Sequence, residues 1–319
     1  MRITNKMMAD SFMTDMNNNL QNLDRIRQQL TTGKNFSKPS HDPANVIRTM
    51  QLYTGIDANK QYNKNISNVI NWLDVTDTAL DQIGKQLGKI RDKLQEAGDP
   101  GFGPTERKAL KDEVNGIIGS LSQTLNTTFD GKYIFSGTRV TGKPTAVKKD
   151  ENGNNSIYYI NKDGTALTDK NSDEYKQMNE KLKAEISEGV VMEYNVTAKE
   201  ILEDGGDLAK LLENIVNNLD SDDPTDTNKL YGENLGDIDK VLDNVLRIRA
   251  EVGAKQNRMD SAKTMNTETN FNMTEILSNI EDIDIVEKNM EYAVLQSVYI
   301  SSLQTSAKVL QPTLMDYLR

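Results

Sequence analysis

From Ile66 to Ala97, ten residues recur at alternating intervals of three and four positions, and we call this series the seam. This 3.5-residue repeat places an apolar stripe along one side of a helix, a pattern typical of coiled coils and helix bundles. It predicts a long helix that must pack against other helices. Gly84 and Gly88 either weaken this helix or permit close approach of a neighbour, and we favour close approach. The seam positions are Ile66, Val69, Leu73, Thr76, Leu80, Ile83, Leu87, Ile90, Leu94 and Ala97.

Proline and glycine set the predicted limits of the long helices. Asp42 can cap a first turn and Pro43 suits the first helical position, so the helix that carries the seam is expected to begin there. Residues 98–101, Gly-Asp-Pro-Gly, end it. A second apolar stripe predicts a helix over residues 105–128, and a third predicts one over residues 235–279. Three helices with narrow seams are expected to form a bundle.

The middle of the chain differs from the helical arms in charge and pattern. Residues 140–232 hold 19 of the 48 acidic side chains and 11 of the 38 basic ones, so most of the net charge of −10 lies there. Residues 157–160 and 190–196 are candidate strands, and residues 207–219 are a candidate short amphipathic helix. The fold class we expect is therefore mainly α, a long coiled-coil-like bundle built from both chain ends, with a small mixed α/β or β-rich insertion.

The two ends of the chain carry apolar residues at helical spacings that neither end can bury alone. Residues 293–307 contain no charged side chain, yet their Ser and Gln residues make them too polar for lipid. A helix without charge on any face is suited to burial against other protein, so we expect the ends to polymerise with further copies. The predicted subunit-interface residues are Leu20, Leu23, Leu30, Val294, Leu295, Val298, Ile300, Leu303, Leu310 and Leu314.

The amino-acid composition excludes most kinds of catalytic site. The chain has no Cys and only His41, which excludes thiolate sites, histidine-based triads and multi-histidine zinc cages. His41 is either a base or metal ligand or, as we favour, a loop residue beside a helix cap. We expect no catalytic residue, no metal and no cofactor. The acidic balance also argues against a nucleic-acid partner.

Three other features have competing interpretations. Residues 220–223 are acidic but lack the glycine and glutamate spacing of a calcium loop, so a solvated loop is favoured. Glu281, Asp282 and Asp284 could be an acid/base pair, but a solvated helix face or a joint is favoured. Trp72 lies beside the seam, where a subunit contact and a bundle-core role are equally compatible with the pattern.

The sequence contains no evident targeting or membrane segment. The first twelve residues, MRITNKMMADSF, have no apolar run of the kind found in a cleaved secretory signal. No stretch reaches the roughly 18 to 20 apolar residues that a membrane-spanning helix needs. We therefore expect no membrane insertion, while export by a route that leaves no cleaved signal stays open.

Short motifs occur in order at both ends of the chain and together carry a resemblance. They are MRIT at 1–4, TGK at 32–34, KPSHDP at 38–43, YNKNI at 62–66, WLD at 72–74, NTTFDGKYIFSGT at 126–138, VGAKQNRM at 252–259 and LQPTLMDYL at 310–318. In kind and order they resemble the flagellin-like family of bacterial flagellar proteins. Residues 40–44, Ser-His-Asp-Pro-Ala, and residues 132–137 are nearer to the subunits that join hook to filament than to the filament subunits. Pro312 departs from the family's usual ending.

The resemblance implies an architecture and a role. It implies terminal helices over 1–40 and 283–319 as an inner assembly layer, a helical bundle over 41–139 and 233–282, and a variable outer insertion over 140–232. It also implies export through the flagellar type III apparatus with a chaperone. The expected product is a secreted, extracellular adaptor ring between hook and filament, in contact with hook-associated and filament-side proteins. The alternatives are a minor flagellin and, more distantly, a scaffold that carries an enzymatic or carbohydrate-binding insertion.

Overall fold

Long helices dominate the structure, a computed structural model that describes residues 5–98, 103–150, 153–221 and 223–309. Three long helices come first in the chain, two more come last, and short strands and helices lie between them. In chain order the elements are α1 (Asn5–Thr32), α2 (Pro43–Ala97), α3 (Pro104–Leu125), β1 (Thr128–Phe129), β2 (Lys132–Tyr133), β3 (Thr145–Lys149), β4 (Asn155–Tyr159), α4 (Asp173–Asn179), β5 (Lys183–Ser187), β6 (Val190–Glu193), α5 (Ala198–Leu202), α6 (Leu208–Asp220), α7 (Pro224–Lys229), a π-helical segment (Leu230–Asn234), α8 (Leu235–Glu281) and α9 (Ile285–Val309). The predicted fold class is confirmed.

The seam of α2 is buried along its whole predicted length. All ten seam positions, including Thr76, lie in the core, where apolar residues of α3 and α8 pack around them. Ion pairs flank the seam: the Arg249 guanidinium donates to Asp77 Oδ1 and Asp81 Oδ1, each at 2.7 Å. The 3.5-residue repeat therefore predicted both the helix and the side that faces its neighbours.

The ends of α2 follow the predicted punctuation, but its internal glycines do not. Asp42 Oδ1 accepts a hydrogen bond from the Asn45 backbone N–H at 3.1 Å, as expected of a residue that precedes a first-turn proline. At Gly98 the backbone N–H donates to the Leu94 carbonyl at 3.2 Å as the helix ends. The expected close approach at Gly84 and Gly88 is wrong: a Cβ at either position would meet no atom within 4 Å.

The insertion contains short antiparallel hairpins and shares a core with the long helices. β3 pairs with β4 and β5 pairs with β6, while β1 and β2 form a hairpin just before the insertion. Asp207 caps α6 by accepting the Lys210 backbone N–H at 3.2 Å. The apolar face of α6 joins the same buried cluster as α2 and α3. The predicted strands and helix of the insertion are therefore present, with bounds shifted by a few residues.

The chain forms two compact units. Residues 1–60 and 268–319 make up unit 1, and residues 61–267 make up unit 2. The boundaries fall inside α2 and α8, so each of these helices contributes to both units. The three-layer division expected from the family stays a prediction. The two units are defined by contacts within one chain, whereas the expected layers are defined by contacts between subunits.

Candidate subunit-docking surface

Unit 1 is held together where its helices break. α1 ends at Thr32, and Gly33 takes a left-handed conformation with φ of +72° that a glycine adopts without strain. The chain then pairs with the break between α8 and α9. The Asn35 backbone N–H donates to the Glu281 carbonyl at 2.7 Å, and the Ile283 N–H donates to the Gly33 carbonyl at 3.1 Å. We call this pairing of residues 33–35 with 281–283 the clamp.

Glu281 is the central side chain of the clamp. It is almost fully buried, and its carboxylate accepts hydrogen bonds from the Lys34 ammonium and, at 2.6 Å, from the Tyr53 hydroxyl. The hydrogen bond to Glu281, with a smaller effect from Tyr53, raises the pKa of Lys34 above its ordinary value. Residues from three helices or their ends therefore converge on one carboxylate.

The neighbouring acids also have structural roles. Asp282 Oδ2 accepts the Ser278 hydroxyl at 2.6 Å, and Asp284 Oδ1 accepts the Val286 backbone N–H at 2.8 Å at the start of α9. The interpretation of these carboxylates as parts of a joint between helices therefore accounts for each of them.

α1 and α9 pack along each other, but they leave much apolar surface uncovered. Within the described part of unit 1, the buried apolar side chains are few: Ile26, Phe36, Ile56 and Leu277. Unit 2, in contrast, buries whole seams. A unit with so small a core can bury further apolar surface against another molecule.

The predicted interface residues lie on these two helices, with different exposure. Val294 is 61% exposed, Ile300 48%, Val298 43%, Leu20 42% and Leu303 39%. Leu23, Leu30 and Leu295 are partly buried in the monomer. Leu310 and Leu314 lie outside the described residues. Assignment of this set to an interface stays a prediction, because the structure contains a single chain.

Exposure on α9 is not confined to one face. An α-helix turns 100° per residue, so Val294 and Val298 point within about 40° of each other, whereas Ile300 points about 120° away from Val294. All three side chains are exposed. The charge-free stretch therefore presents apolar groups in several directions, as expected of a helix that is surrounded by neighbours.

The sequence analysis missed other exposed apolar residues of unit 1. Like the predicted set, most of them lie on α1 and α9, and the others lie on the first turns of α2. A search for segments without charged residues misses them, because charged residues lie among them. These residues are Met7, Met8, Ile47, Met50, Ile285 and Val286.

The remaining candidates have no feature of a reactive centre. His41 is exposed, and its backbone N–H donates to the Lys38 carbonyl at 3.0 Å in the loop before α2. Asp220 Oδ1 accepts from Lys111 at 2.9 Å, and Asp222 lies outside the described residues. Among the described residues, no three or more His, Cys, Asp and Glu side chains are grouped as a metal site would require.

Trp72 is a core residue of unit 2. It is 5% exposed, and the rings of Phe129 and Tyr194 meet it edge-on with centroid distances of 6.1 and 5.8 Å. The core interpretation therefore describes its packing.

In the described residues, no helix is long and apolar enough to cross a membrane.

Both arms of the chain match profiles of one known protein family. The family profile of the bacterial flagellin N-terminal helical region matches residues 3–140, and that of the C-terminal helical region matches residues 235–318. The unmatched middle corresponds to the insertion. The two matches together cover more than half of the chain.

Individual relatives agree with the family profiles. Flagellar hook-associated protein 3 of Escherichia coli (strain K12) is 24% identical over 94% of this chain and 95% of its own length. Flagellin of Bacillus subtilis (strain 168) is 22% identical over 92% of this chain and 90% of its own length. A solved flagellar hook-associated protein from Vibrio parahaemolyticus superposes with a TM-score of 0.62 at 22% identity, over 76% of this chain and all of that one. The chain belongs to the bacterial flagellin family.

Proposed function

We propose that the chain is a structural subunit of the bacterial flagellum that forms an adaptor ring between hook and filament. The observation that carries this proposal is the apolar surface of α1 and α9, which the chain's own core leaves exposed. Burial of that surface between neighbouring copies would supply about 25 cal/mol for each Å² removed from water. The terminal helices would thus form the contacts between copies.

The junction role is favoured over that of a filament subunit by sequence detail. The full-length similarities to hook-associated protein 3 and to flagellin are nearly equal, at 24% and 22% identity. Residues 40–44 read Ser-His-Asp-Pro-Ala, where filament subunits usually have an Asp-Asp-Ala-Ala-Gly-like run. In this chain Asp42 caps α2 and Pro43 begins it, so the departure has a defined structural role.

Partners and location follow from the proposed role. The subunit would leave the cell through the flagellar export apparatus, with its ends kept from premature association by a chaperone. It would then contact further copies of itself, hook-associated proteins on one side and filament-side proteins on the other. We infer no catalytic role, because the carboxylates that sequence analysis singled out serve as caps and hydrogen-bond partners.

A deletion mutant tests the proposal and separates it from the alternative. Loss of a junction subunit should leave hooks on the cell and release filament subunits into the medium, because the filament would lose its attachment. Loss of a minor flagellin should leave filaments attached. Electron microscopy of the cells and gel analysis of the medium measure both outcomes, and re-expression of the unaltered chain is the control. Attached filaments in the deletion strain would contradict the junction role.

A further inference from the structure

Methionine is concentrated on the exposed surface of unit 1. Seven of the 13 methionines of the chain lie in the described part of this unit, and none of the seven is buried. Five are exposed, and we call these five the surface methionines. Thioether groups are therefore a regular part of the apolar surface that this unit's own core leaves uncovered. The surface methionines are Met7, Met8, Met13, Met50 and Met290.

Unit 2 shows the opposite distribution. Three of its four methionines, Met178, Met192 and Met259, are buried, and the fourth, Met265, is exposed. Met178 and Met259 have no accessible surface. A small reagent that attacks methionine from solution should therefore reach unit 1 at several points and leave the close-packed core of unit 2 intact.

Two of the surface methionines share a helix face with predicted interface residues. Met13 precedes Leu20 by seven residues on α1, so their side chains point within about 20° of each other. Met290 precedes Val294 by four residues on α9, and these side chains point within about 40° of each other. Met13 is 59% exposed and Met290 is 61% exposed. A neighbouring copy that covers Leu20 or Val294 would therefore cover these methionines as well.

The chemistry of the chain directs an oxidant to these side chains. Because the chain contains no cysteine, its thioethers are the groups that a peroxide oxidises most readily. A lone pair of the methionine sulfur attacks one peroxide oxygen, so an S–O bond forms and the O–O bond breaks. With hydrogen peroxide the other oxygen leaves as water. The sulfur loses two electrons, the peroxide gains them, and the product is methionine sulfoxide.

A sulfoxide suits a surface in water but not an apolar contact. In the free subunit the new oxygen stays hydrated, so the fold should tolerate it. Between two copies the same oxygen would lose its water and meet apolar side chains that donate no hydrogen bond, which opposes association. Oxidation should therefore weaken contacts between copies without unfolding the subunit.

We propose that the surface methionines are a reversible modification site, at which a peroxide converts the free subunit into a form that does not join the assembly. This inference rests on the proposed function, since the modified groups lie on the surface that is proposed to contact other subunits. Subunits that are already assembled would resist oxidation, because their neighbours cover the thioethers. Methionine sulfoxide reductase would restore the free subunit, because it returns the sulfoxide to the thioether.

Peroxide footprinting tests where the methionines lie in the assembly. The purified subunit and isolated flagella are treated with hydrogen peroxide, and the oxygen gained by each methionine is measured by peptide mass spectrometry. In the free subunit the surface methionines should be oxidised, whereas Met178 and Met259 should not. In flagella the surface methionines should be protected.

A binding assay tests the effect on assembly. Hooks isolated from the deletion strain are mixed with the purified subunit and sedimented. Peroxide treatment of the unaltered chain should weaken binding by about tenfold or more, since the burial of even one methionine-sized side chain is worth at least that factor. Reductase treatment should restore binding, and circular dichroism of the oxidised subunit should be unchanged.

Leucine variants identify the methionines responsible, because leucine is apolar, similar in volume and resistant to peroxide. A variant with leucine at all five surface methionines should bind hooks equally well before and after peroxide treatment. The matched control is Met265→Leu, which replaces a methionine that is 69% exposed in unit 2. It should lose binding on oxidation as the unaltered chain does. The fivefold variant is Met7→Leu/Met8→Leu/Met13→Leu/Met50→Leu/Met290→Leu.

The outcomes separate this inference from the proposed function. Full binding by the unaltered chain with its surface methionines oxidised would overturn the inference and leave the junction role intact. Equal loss of binding in the unaltered chain and the fivefold variant would overturn it too, as would equal oxidation of the surface methionines in flagella and in the free subunit. Failure of the untreated subunit to bind hooks would contradict the proposed function and, with it, this inference.

Discussion

Replacement of exposed apolar residues on α9 should weaken assembly without weakening the monomer. The variant we consider is Val294→Ser/Val298→Ser/Ile300→Ser. These side chains are 61%, 43% and 48% exposed, so together they offer the equivalent of about one and a half fully exposed side chains. Full burial of one such side chain stabilises by roughly 1.5–3 kcal/mol. Each subunit should therefore lose roughly 2–4 kcal/mol of contact energy in the assembly.

A loss of that size is readily measured. It corresponds to about a 30- to 1,000-fold weaker association equilibrium, since each 1.4 kcal/mol is a factor of ten. Cells with the triple variant should shed filaments, and filament subunits should accumulate in the medium. The monomer should change by no more than about 0.5 kcal/mol for each replacement, because substitutions at exposed positions have small effects. Urea unfolding followed by circular dichroism measures this second quantity.

Two results would refute the reasoning. A large fall in the urea midpoint of the purified monomer would mean that these side chains stabilise the free subunit, against their observed exposure. Filament retention equal to that of the unaltered chain would mean that the uncharged stretch is not a contact surface. Leu246→Ser is the matched control, because Leu246 is 59% exposed on α8 in unit 2. It should leave both measurements unchanged.

Three further predictions concern stability within unit 2, each measured by urea unfolding. Leu87→Ala should lower the free energy of unfolding by about 3 kcal/mol, since Leu87 is fully buried in the seam and truncation leaves a cavity; a loss below 1 kcal/mol would contradict this. Gly88→Ala should raise it by about 1 kcal/mol, because alanine favours the helix and a Cβ there meets no neighbour; destabilisation would restore the close-approach interpretation. Burial opposes ionisation of Glu200, yet hydrogen bonds from Lys181 and from the Thr197 N–H lower its pKa below the ordinary 4.5. Its contribution should be present above pH 4.5 and lost as the pH falls through the lower folded value, so the difference from Glu200→Gln should shrink on acidification.

The sequence predicted best what depends on local periodicity. Burial of the seam from Ile66 to Ala97 follows from a repeat that is legible in one segment, and the start of α2 follows from Asp42 and Pro43. The uncharged residues 293–307 likewise lie within one helix, α9, while their role as a contact surface stays a prediction. Each of these inferences needs only the residues within one helix.

The rest depends on contacts between distant parts of the chain. Lys34 and Glu281 are 247 residues apart, and nothing in either segment indicates its partner. The π-helical segment before α8 has no sequence signal that we recognise. Trp72 could not be assigned to the core until Phe129 and Tyr194 were placed beside it. Gly84 and Gly88 misled us, since a glycine in a helix indicates an absent side chain but not what fills the space.

The clamp has a consequence for the order in which the chain folds. It joins residues from the first 35 positions to residues beyond 280, and contacts of such sequence separation form slowly, because the intervening chain must first give up its freedom. Folding of residues 61–267 as a compact unit removes most of that freedom beforehand. Unit 2 should therefore fold first, and the terminal helices should pair last. The surfaces that a subunit offers to its neighbours would thus be completed at the final step of folding.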